Sequence, residues 1–319
     1  MSDISTPISA AMVKDLRDKT GVGMMDCKKA LAETKGDIQA AIDWLRKKGL
    51  AKAAGKADRI AAEGLVGVMT SGTMGAACEV NSETDFVARN VKFQDMVNKV
   101  TSLVPKAAAA DPAANLTIDV AKILAMPYPG GKVTVDEHVK EMIATIGENM
   151  TVRRAATLSV KDGVVAAYMH NKIADGLGKI GVLVALESTG DKAKLAELGR
   201  QIAMHVAARN PAALDLAGVP ADLLARERQI LLDKNVGKPA QVLEKIADSG
   251  LKTWAKENTL LDQTFVLDES KSIATVLKDA EKTCGAPVAL TAFARFQLGD
   301  GIEKKVEDFA AEVAATAKG

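Results

Sequence analysis

Side chains able to do nucleophilic, acid–base or metal chemistry are few in this sequence. Its three histidines, His138, His170 and His205, and its three cysteines, Cys27, Cys78 and Cys284, are scattered along the chain. No CxxC or Cys/His cluster gives the spacing of a zinc site, and three distant thiols make no disulfide framework. His205 sits in the largely apolar helical stretch Ile202-Ala203-Met204-His205-Val206, where a hydrogen-bonded core or interface histidine competes with a general base. His170 ends a strand beside a polar turn, within reach of a partner, but no GxSxG-like nucleophile setting stands near it.

Two glycine patterns raise the question of phosphate binding. Gly176-Leu177-Gly178-Lys179-Ile180-Gly181 fits GxGxxG, yet a dinucleotide needs a helix N-terminus directly after the glycines. The residues that follow, VLVALES, read as a strand, so the pattern is a hairpin turn. The Gly-Lys pairs at 55, 131, 178 and 237 are followed by Ala, Val, Ile and Pro, so none is a phosphate loop with its Mg²⁺-binding hydroxyl. The expectation is a chain with no cofactor, no metal, no direct nucleotide binding and no enzymatic turnover.

Two other stretches carry side chains suited to a protein partner. In Glu83-Thr84-Asp85-Phe86-Val87-Ala88-Arg89-Asn90, Thr84 or Asp85 is placed to cap the helix that follows. Phe86 either enters the core or is presented beside a carboxylate at a strand-to-helix corner. In Thr20-Gly21-Val22-Gly23-Met24-Met25-Asp26-Cys27-Lys28-Lys29, adjacent methionines diverge by about 100° on a helix, so both cannot face one small core. A flexible thioether at the surface suits an interface; packing at a helix start is the alternative.

The elements that must position these residues follow from periodicity. Residues 1–55 read as three short helices: Ile8, Met12, Val13 and Leu16 share a face of the first, and Ile38, Ala41, Ile42 and Leu45 a face of the third. Arg46, Lys47, Lys48, Lys52, Lys56 and Arg59 then crowd what reads as a solvated helical linker. Strands are predicted at 63–69 and 75–83, with a helix at 90–103. The Ala/Pro-rich piece 105–131, ending in Pro127-Tyr128-Pro129-Gly130-Gly131, reads as a surface insertion. The plan recurs with strands at 151–160, 164–170 and 180–188 and a helix at 191–209. Setting GAACEVNSETD (75–85) over GVLVALESTGD (181–191) aligns Gly75 with Gly181, Ser82 with Ser188 and Asp85 with Asp191, which predicts a duplicated α+β unit. An αα-hairpin at 220–258 has few apolar residues per turn and is expected to project or to pair with a copy. A helix near 272–283, a strand at 288–297 and an amphipathic helix at 302–317 complete the chain.

Composition excludes the simplest classes. The chain has 319 residues, 48% of them hydrophobic, which is enough for a real core. Aromatics are 3%, which disfavours a base-stacking platform, and 42 Lys+Arg against 41 Asp+Glu gives +1, which disfavours a general nucleic-acid binder. No run approaches the roughly 18 apolar residues that span a bilayer, and the acidic start is unlike a signal peptide. A cytoplasmic location is expected.

Together these stretches resemble the bacterial elongation factor Ts family, the guanine-nucleotide exchange factors for elongation factor Tu. The resemblance is carried by LRDKTGVGMMDCKKAL (16–31), EVNSETDFVARN (79–90), IGEN (146–149), IAMHVAARNP (202–211), LLDQTFV (260–266) and GIEKKVEDFAAEVAA (301–315). It implies an α+β fold with a UBA-like three-helix module at 1–55 and a core N-subdomain at 56–145. A core C-subdomain follows at 146–298, with the helical hairpin inserted at 220–258, then a C-terminal helix module at 299–319. By the same resemblance, Lys14, Arg17, Met24, Met25 and Lys28 contact elongation factor Tu. The Thr84-Asp85-Phe86-Val87 loop is similar to the family motif that dislodges Mg²⁺ from that partner. Ile146, Gly147, Glu148, Asn149 and His170 correspond to further contacts. The hairpin resembles a dimerisation element, implying a homodimer or a 2:2 complex, although its tip at Asn235-Val236-Gly237 looks short. The competing reading is an RNA- or ribosome-binding module acting through the basic stretch 46–59; a hydrolase using His170 is a third.

Overall fold

The computed structural model describes residues 8–109 and 117–303. Helix α1 (Ala10–Thr20) starts where Ser9 accepts from the Met12 amide and ends on Gly21. Helix α2 (Met24–Glu33) follows, then α3 (Ile38–Ala54), opened by Asp37 accepting from Ala40 N–H. Val13, Leu16, Cys27, Ala30, Leu31, Ala41 and Leu45 close a small core among the three, as the helical spacing predicts.

Strands β1 (Glu63–Ser71) and β2 (Met74–Ser82) form an antiparallel hairpin. Helices α4 (Val91–Ala109), α5 (Val120–Leu124) and α6 (Val135–Ile146) come next, and β3 (Met150–Ser159) pairs with β2. Helix α6 was not anticipated. Its start is a full capping box, with Thr134 accepting from the Glu137 amide and Glu137 accepting from Thr134 N–H. The 105–131 piece is not a surface insertion in its described part. Residues 105–109 finish α4, Ile118 bridges to Ala155, and Ile123 and Tyr128 are buried in the main core, with Tyr128 stacked on His138 at 3.7 Å.

Strands β4 (Gly163–Ala174) and β5 (Leu177–Glu187) form the second hairpin, and α7 (Lys192–Arg209) follows, capped by Asp191. Of the GxGxxG stretch, read from the sequence as a hairpin turn, only Gly176 lies in the turn between β4 and β5; Leu177 to Gly181 are the first residues of β5, and no helix follows them. Helices α8 (Ala221–Asp233) and α9 (Ala240–Asn258) make the αα-hairpin. They meet at Leu231 and Gly250 and are clasped by Arg228 to Glu244 and Asp248. No residue of α8 is fully buried. A short pair, β6 (Thr264–Phe265) and β7 (Asp268–Ser272), leads to α10 (Ile273–Cys284) and β8 (Ala289–Gln297), which pairs with β5. The expected helix at 302–317 lies outside the described residues, apart from its first two positions.

The sheet is two antiparallel triplets, β3-β2-β1 and β4-β5-β8, whose strands pair with one another where Val66 and Gly67 of β1 meet Gly178 and Leu177 of β5. One face of each triplet packs on helices. Ala76, Cys78 and Val80 of β2 meet the α4 side, and Val182, Val184 and Leu186 of β5 meet the α7 side. The other faces meet each other through Ala77, Leu158, Val165, Leu183 and Ala185. Burial on both sides is why β2 and β5 read as near-continuous apolar runs.

Contact between the triplets is close enough to require glycine. A Cβ at Gly75 would lie 2.5 Å from Val165 Cγ1, and one at Gly181 would lie 2.6 Å from Val68 Cγ1. Beside them, the fully buried Glu79 of β2 binds Arg154 Nε at 2.6 Å, Arg153 Nη1 at 3.0 Å and the Gly299 amide at 2.9 Å. That cluster fastens the end of β8 to the first triplet. Among the described residues, no helix is long and apolar enough to cross a membrane.

Candidate functional site

The chain leaves β2 at Ser82 and reaches α4 at Val91 through a single turn of 3₁₀ helix, residues 87–89. Val87 points inward and is buried in the core beneath α4, while its neighbour Phe86 is 75% exposed. The two readings of Phe86 are thereby separated: the core position is taken by Val87, and the ring stands in solvent. Asp85 beside it is also exposed. The capping role expected of Thr84 or Asp85 falls instead to Asn90, whose Oδ1 accepts from Lys92 N at 2.9 Å. Thr84 faces the other way, because its hydroxyl and amide are both claimed by Glu148.

Thr84 Oγ1 donates to Glu148 Oε1 at 2.7 Å, and Thr84 N donates to Glu148 Oε2 at 2.9 Å. The 146–149 segment and the Phe86 loop are therefore brought together across 64 residues. Gly147 caps α6 at φ 93°, a left-handed conformation that suits glycine and turns the chain back toward Thr84. Ile146 packs partly into the core, and Asn149 is buried.

In the three-helix module, Lys14 and Arg17 are exposed on α1 and Lys28 on α2. Met24 is 43% and Met25 78% exposed, so both thioethers stand at the surface and neither serves the small core. The turn before them abuts the first turn of α4: a Cβ at Gly21 would lie 3.1 Å from Lys92 Nζ. Val91, next to Lys92, is 76% exposed. It was missed in the sequence, where the signal was an apolar first residue of a helix whose inward face is already filled by Phe93, Met96 and Val97. His170 is exposed on β4, with its Nδ1 3.3 Å from the Tyr168 hydroxyl.

The basic stretch is helical to Ala54 and largely exposed, as read, but most of its cations have partners within the chain. Residues 46–54 continue α3 against α6, where Arg46 meets Glu137 at 2.7 Å and Glu141 at 3.6 Å. Lys48 and Lys52 both bind Asp26 at 2.8 Å and, Lys48 first, hold its carboxyl down at about 2. Lys56 donates to the Gly147 carbonyl, and Arg59 lies 3.6 Å from Glu83. These cations are engaged within the chain.

His205 is a core histidine. Its Nδ1 accepts from Val266 N at 3.3 Å, which leaves Nε2–H to donate to Gln263 Oε1 at 2.9 Å. Gln263 Nε2 in turn donates to Glu257 O, so the relay is consistent in direction throughout. Burial lowers the His205 pKa, with the Gln263 bond opposing. Among the described residues, no group of three or more His, Cys, Asp or Glu is placed to hold a metal ion.

Comparison with known proteins agrees with this arrangement. The family model described as Elongation factor TS matches residues 83–300. A protein named Elongation factor Ts from Xanthobacter autotrophicus is 61% identical over 97% of this chain and 98% of its own length. One of the same name from Azorhizobium caulinodans is 59% identical with the same coverage, and one from Rhodospirillum centenum is 56% identical over 97% of this chain and 99% of its own.

Proposed function

This chain belongs to the elongation factor Ts family of translation elongation factors, and from that premise we propose that it binds elongation factor Tu–GDP and promotes GDP release so that GTP can load. The observation that carries the reading is Phe86, an aromatic ring held in solvent by a buried neighbour and a hydrogen-bonded loop. A GTPase retains its nucleotide with a phosphate loop and a Mg²⁺ that bridges the phosphates. A factor that displaces that nucleotide needs no catalytic group of its own and is not an enzyme. It must bind the empty partner better than the loaded one, and by linkage it weakens nucleotide as much as nucleotide weakens it.

In this mechanism Phe86 wedges between partner helices while Asp85 disturbs the Mg²⁺ shell, and Thr84 and Val87 fix the loop. Lys14, Arg17, Met24, Met25 and Lys28 dock the 1–55 module, which we take to be UBA-like. His170 adds a contact from the second half. Residues 56–145 and 146–298 are the two core subdomains, with 299–319 as the C-terminal module. The reciprocal placement of Gly75 and Gly181 between the triplets supports their origin by duplication. The helical hairpin, with its half-covered apolar side chains, is the element through which two copies would pair. The factor acts in the cytoplasm.

The test is direct. Elongation factor Tu loaded with a fluorescent GDP is chased with unlabelled nucleotide, with and without this chain. Acceleration that saturates with factor concentration is expected; an unchanged release rate would overturn the proposal. The RNA-binding reading is the less favoured, because five of the six cations it invokes, Arg46, Lys48, Lys52, Lys56 and Arg59, have partners in the chain, which leaves Lys47 exposed. A tRNA titration at about 0.15 M salt should show no binding attributable to that stretch.

A further inference from the structure

Two loops far apart in sequence exchange carboxylates. Glu148, just after α6, accepts both the amide and the hydroxyl of Thr84, so each of its oxygens is engaged. In return Glu83, just after β2, accepts from the Asn149 amide at 2.5 Å. Each acid thus satisfies a backbone donor next to the other acid, and the two loops close on one another. A third segment joins them. Asn149 Nδ2 donates to Arg59 O at 2.7 Å and Ala57 O at 3.3 Å, in the connector between α3 and β1. Lys56 and Arg59 of that connector bind Gly147 O and Glu83.

We propose that Glu148 and Glu83 are positioning residues: a reciprocal brace that sets the direction in which the loop presents Phe86, with Glu148 acting through Thr84 rather than on the partner. The proposal rests on the exchange reading above. Its physical basis is the cost of ordering. A loop that must be fixed on binding loses conformational freedom at that moment, whereas one already tied binds without that loss. Charge-assisted bonds to backbone donors are the strong kind. The brace lies one residue before Asp85 on one side, and buried Val87 anchors the other, so only Asp85 and Phe86 project between two fixed points.

Two measurements on the full-length chain test this. The first is amide hydrogen exchange of the free protein, which does not depend on any partner. In Glu148→Ala, the Thr84 amide that Glu148 holds should exchange about tenfold faster or more, while those of β1 and β2 keep their protection. Glu148→Gln, with one acceptor oxygen left, should fall between. Thr84→Ser should retain protection that Thr84→Val loses. Unchanged exchange of the Thr84 amide in Glu148→Ala and Glu148→Gln would overturn the brace, as would an equal loss of protection throughout the core.

The second is a double-mutant cycle on GDP release from elongation factor Tu. Glu148→Ala should lower the maximal rate. Adding it to Phe86→Ala should change the rate less than twofold, because nothing remains to be positioned. If the two losses multiply, Glu148 acts on the partner independently and the positioning role is wrong. If the unmodified chain accelerates no release, the exchange reading falls, and the brace then stands or falls on amide exchange alone.

Discussion

Replacing Phe86 by Ala separates presentation from packing. With 75% of the side chain in solvent, enclosure by a partner would remove on the order of 150 Å² of ring surface from water. At ~25 cal/mol per Å² this amounts to roughly 4 kcal/mol, or several hundredfold in an equilibrium or a rate. That is an upper bound on the rate effect, since only contacts made more strongly in the release transition state accelerate release. The same exposure means that removing the ring leaves no cavity. The melting midpoint of Phe86→Ala should therefore match the unmodified chain, with stability unchanged within about 0.5 kcal/mol. Val87→Ala is the counterpart. It removes two buried carbons from the core and should cost about 1.5–2.5 kcal/mol of stability. Stopped-flow release of fluorescent GDP over a range of factor concentrations gives the maximal rate and half-saturation for each. Phe86→Ala should lose tenfold or more in the ratio of the two, and Phe86→Leu, which keeps much of the apolar area, should lose less. If Phe86→Ala keeps both parameters within twofold, the wedge is wrong. If it melts several degrees lower, the ring is packed in solution and the reasoning from exposure fails.

Three further outcomes are expected. Glu79→Gln puts an amide NH₂ against one of two arginine donors in a fully buried position and should cost about 2–4 kcal/mol, read as a fall of several degrees in calorimetry; an unchanged melt would refute the clasp. Gly181→Ala drives a methyl into Val68 and Val66 at 2.6 and 2.7 Å and should cost about 1–3 kcal/mol in urea unfolding, against near-neutrality if the triplets can separate. His205 is held neutral by burial, so the unfolded chain takes up its proton first: stability is full above the ordinary value of 6.5 and is lost as pH falls below it, a slope that His205→Gln should reduce.

The parts legible in the sequence were those written in local chemistry. The three opening helices follow from the spacing of Val13, Leu16, Ala41 and Leu45 and from the Asp37 cap, and both β-hairpins follow from strand runs broken at turns. Helix α6 carried a comparable signal in Thr134, Glu137, Val135, Val139 and Met142, but lay behind a proline- and glycine-rich stretch that drew attention to a loop. Burial of Ile118, Ile123 and Tyr128 was not legible, because isolated apolar residues in such a stretch have no period to report their environment. The basic run misled for a related reason. Six cations in fourteen residues look free of partners until Asp26, Glu137 and Glu141 arrive from elsewhere in the chain to meet three of them, Arg46, Lys48 and Lys52.

The site shows the same division more sharply. Phe86 and Val87 differ by one position and are equally apolar, so no pattern within the loop decides which enters the core. The decision is made by what holds the backbone on either side. Asn90 starts α4 and seats Phe93, while Ser82 ends β2 between Glu63 of β1 and Met150 of β3. Between those points the chain must pass Glu148, which takes the amide and hydroxyl of Thr84 and so fixes the approach to Asp85. With both ends set, Val87 enters the core beneath α4 and Phe86 does not. An exposed aromatic is thus the result of a constraint supplied from 64 residues away, and the same constraint joins the loop to the connector behind the three-helix module through Asn149 and Arg59. If the loop is the partner surface proposed above, its direction is set by hydrogen bonds among residues that need not touch the partner at all.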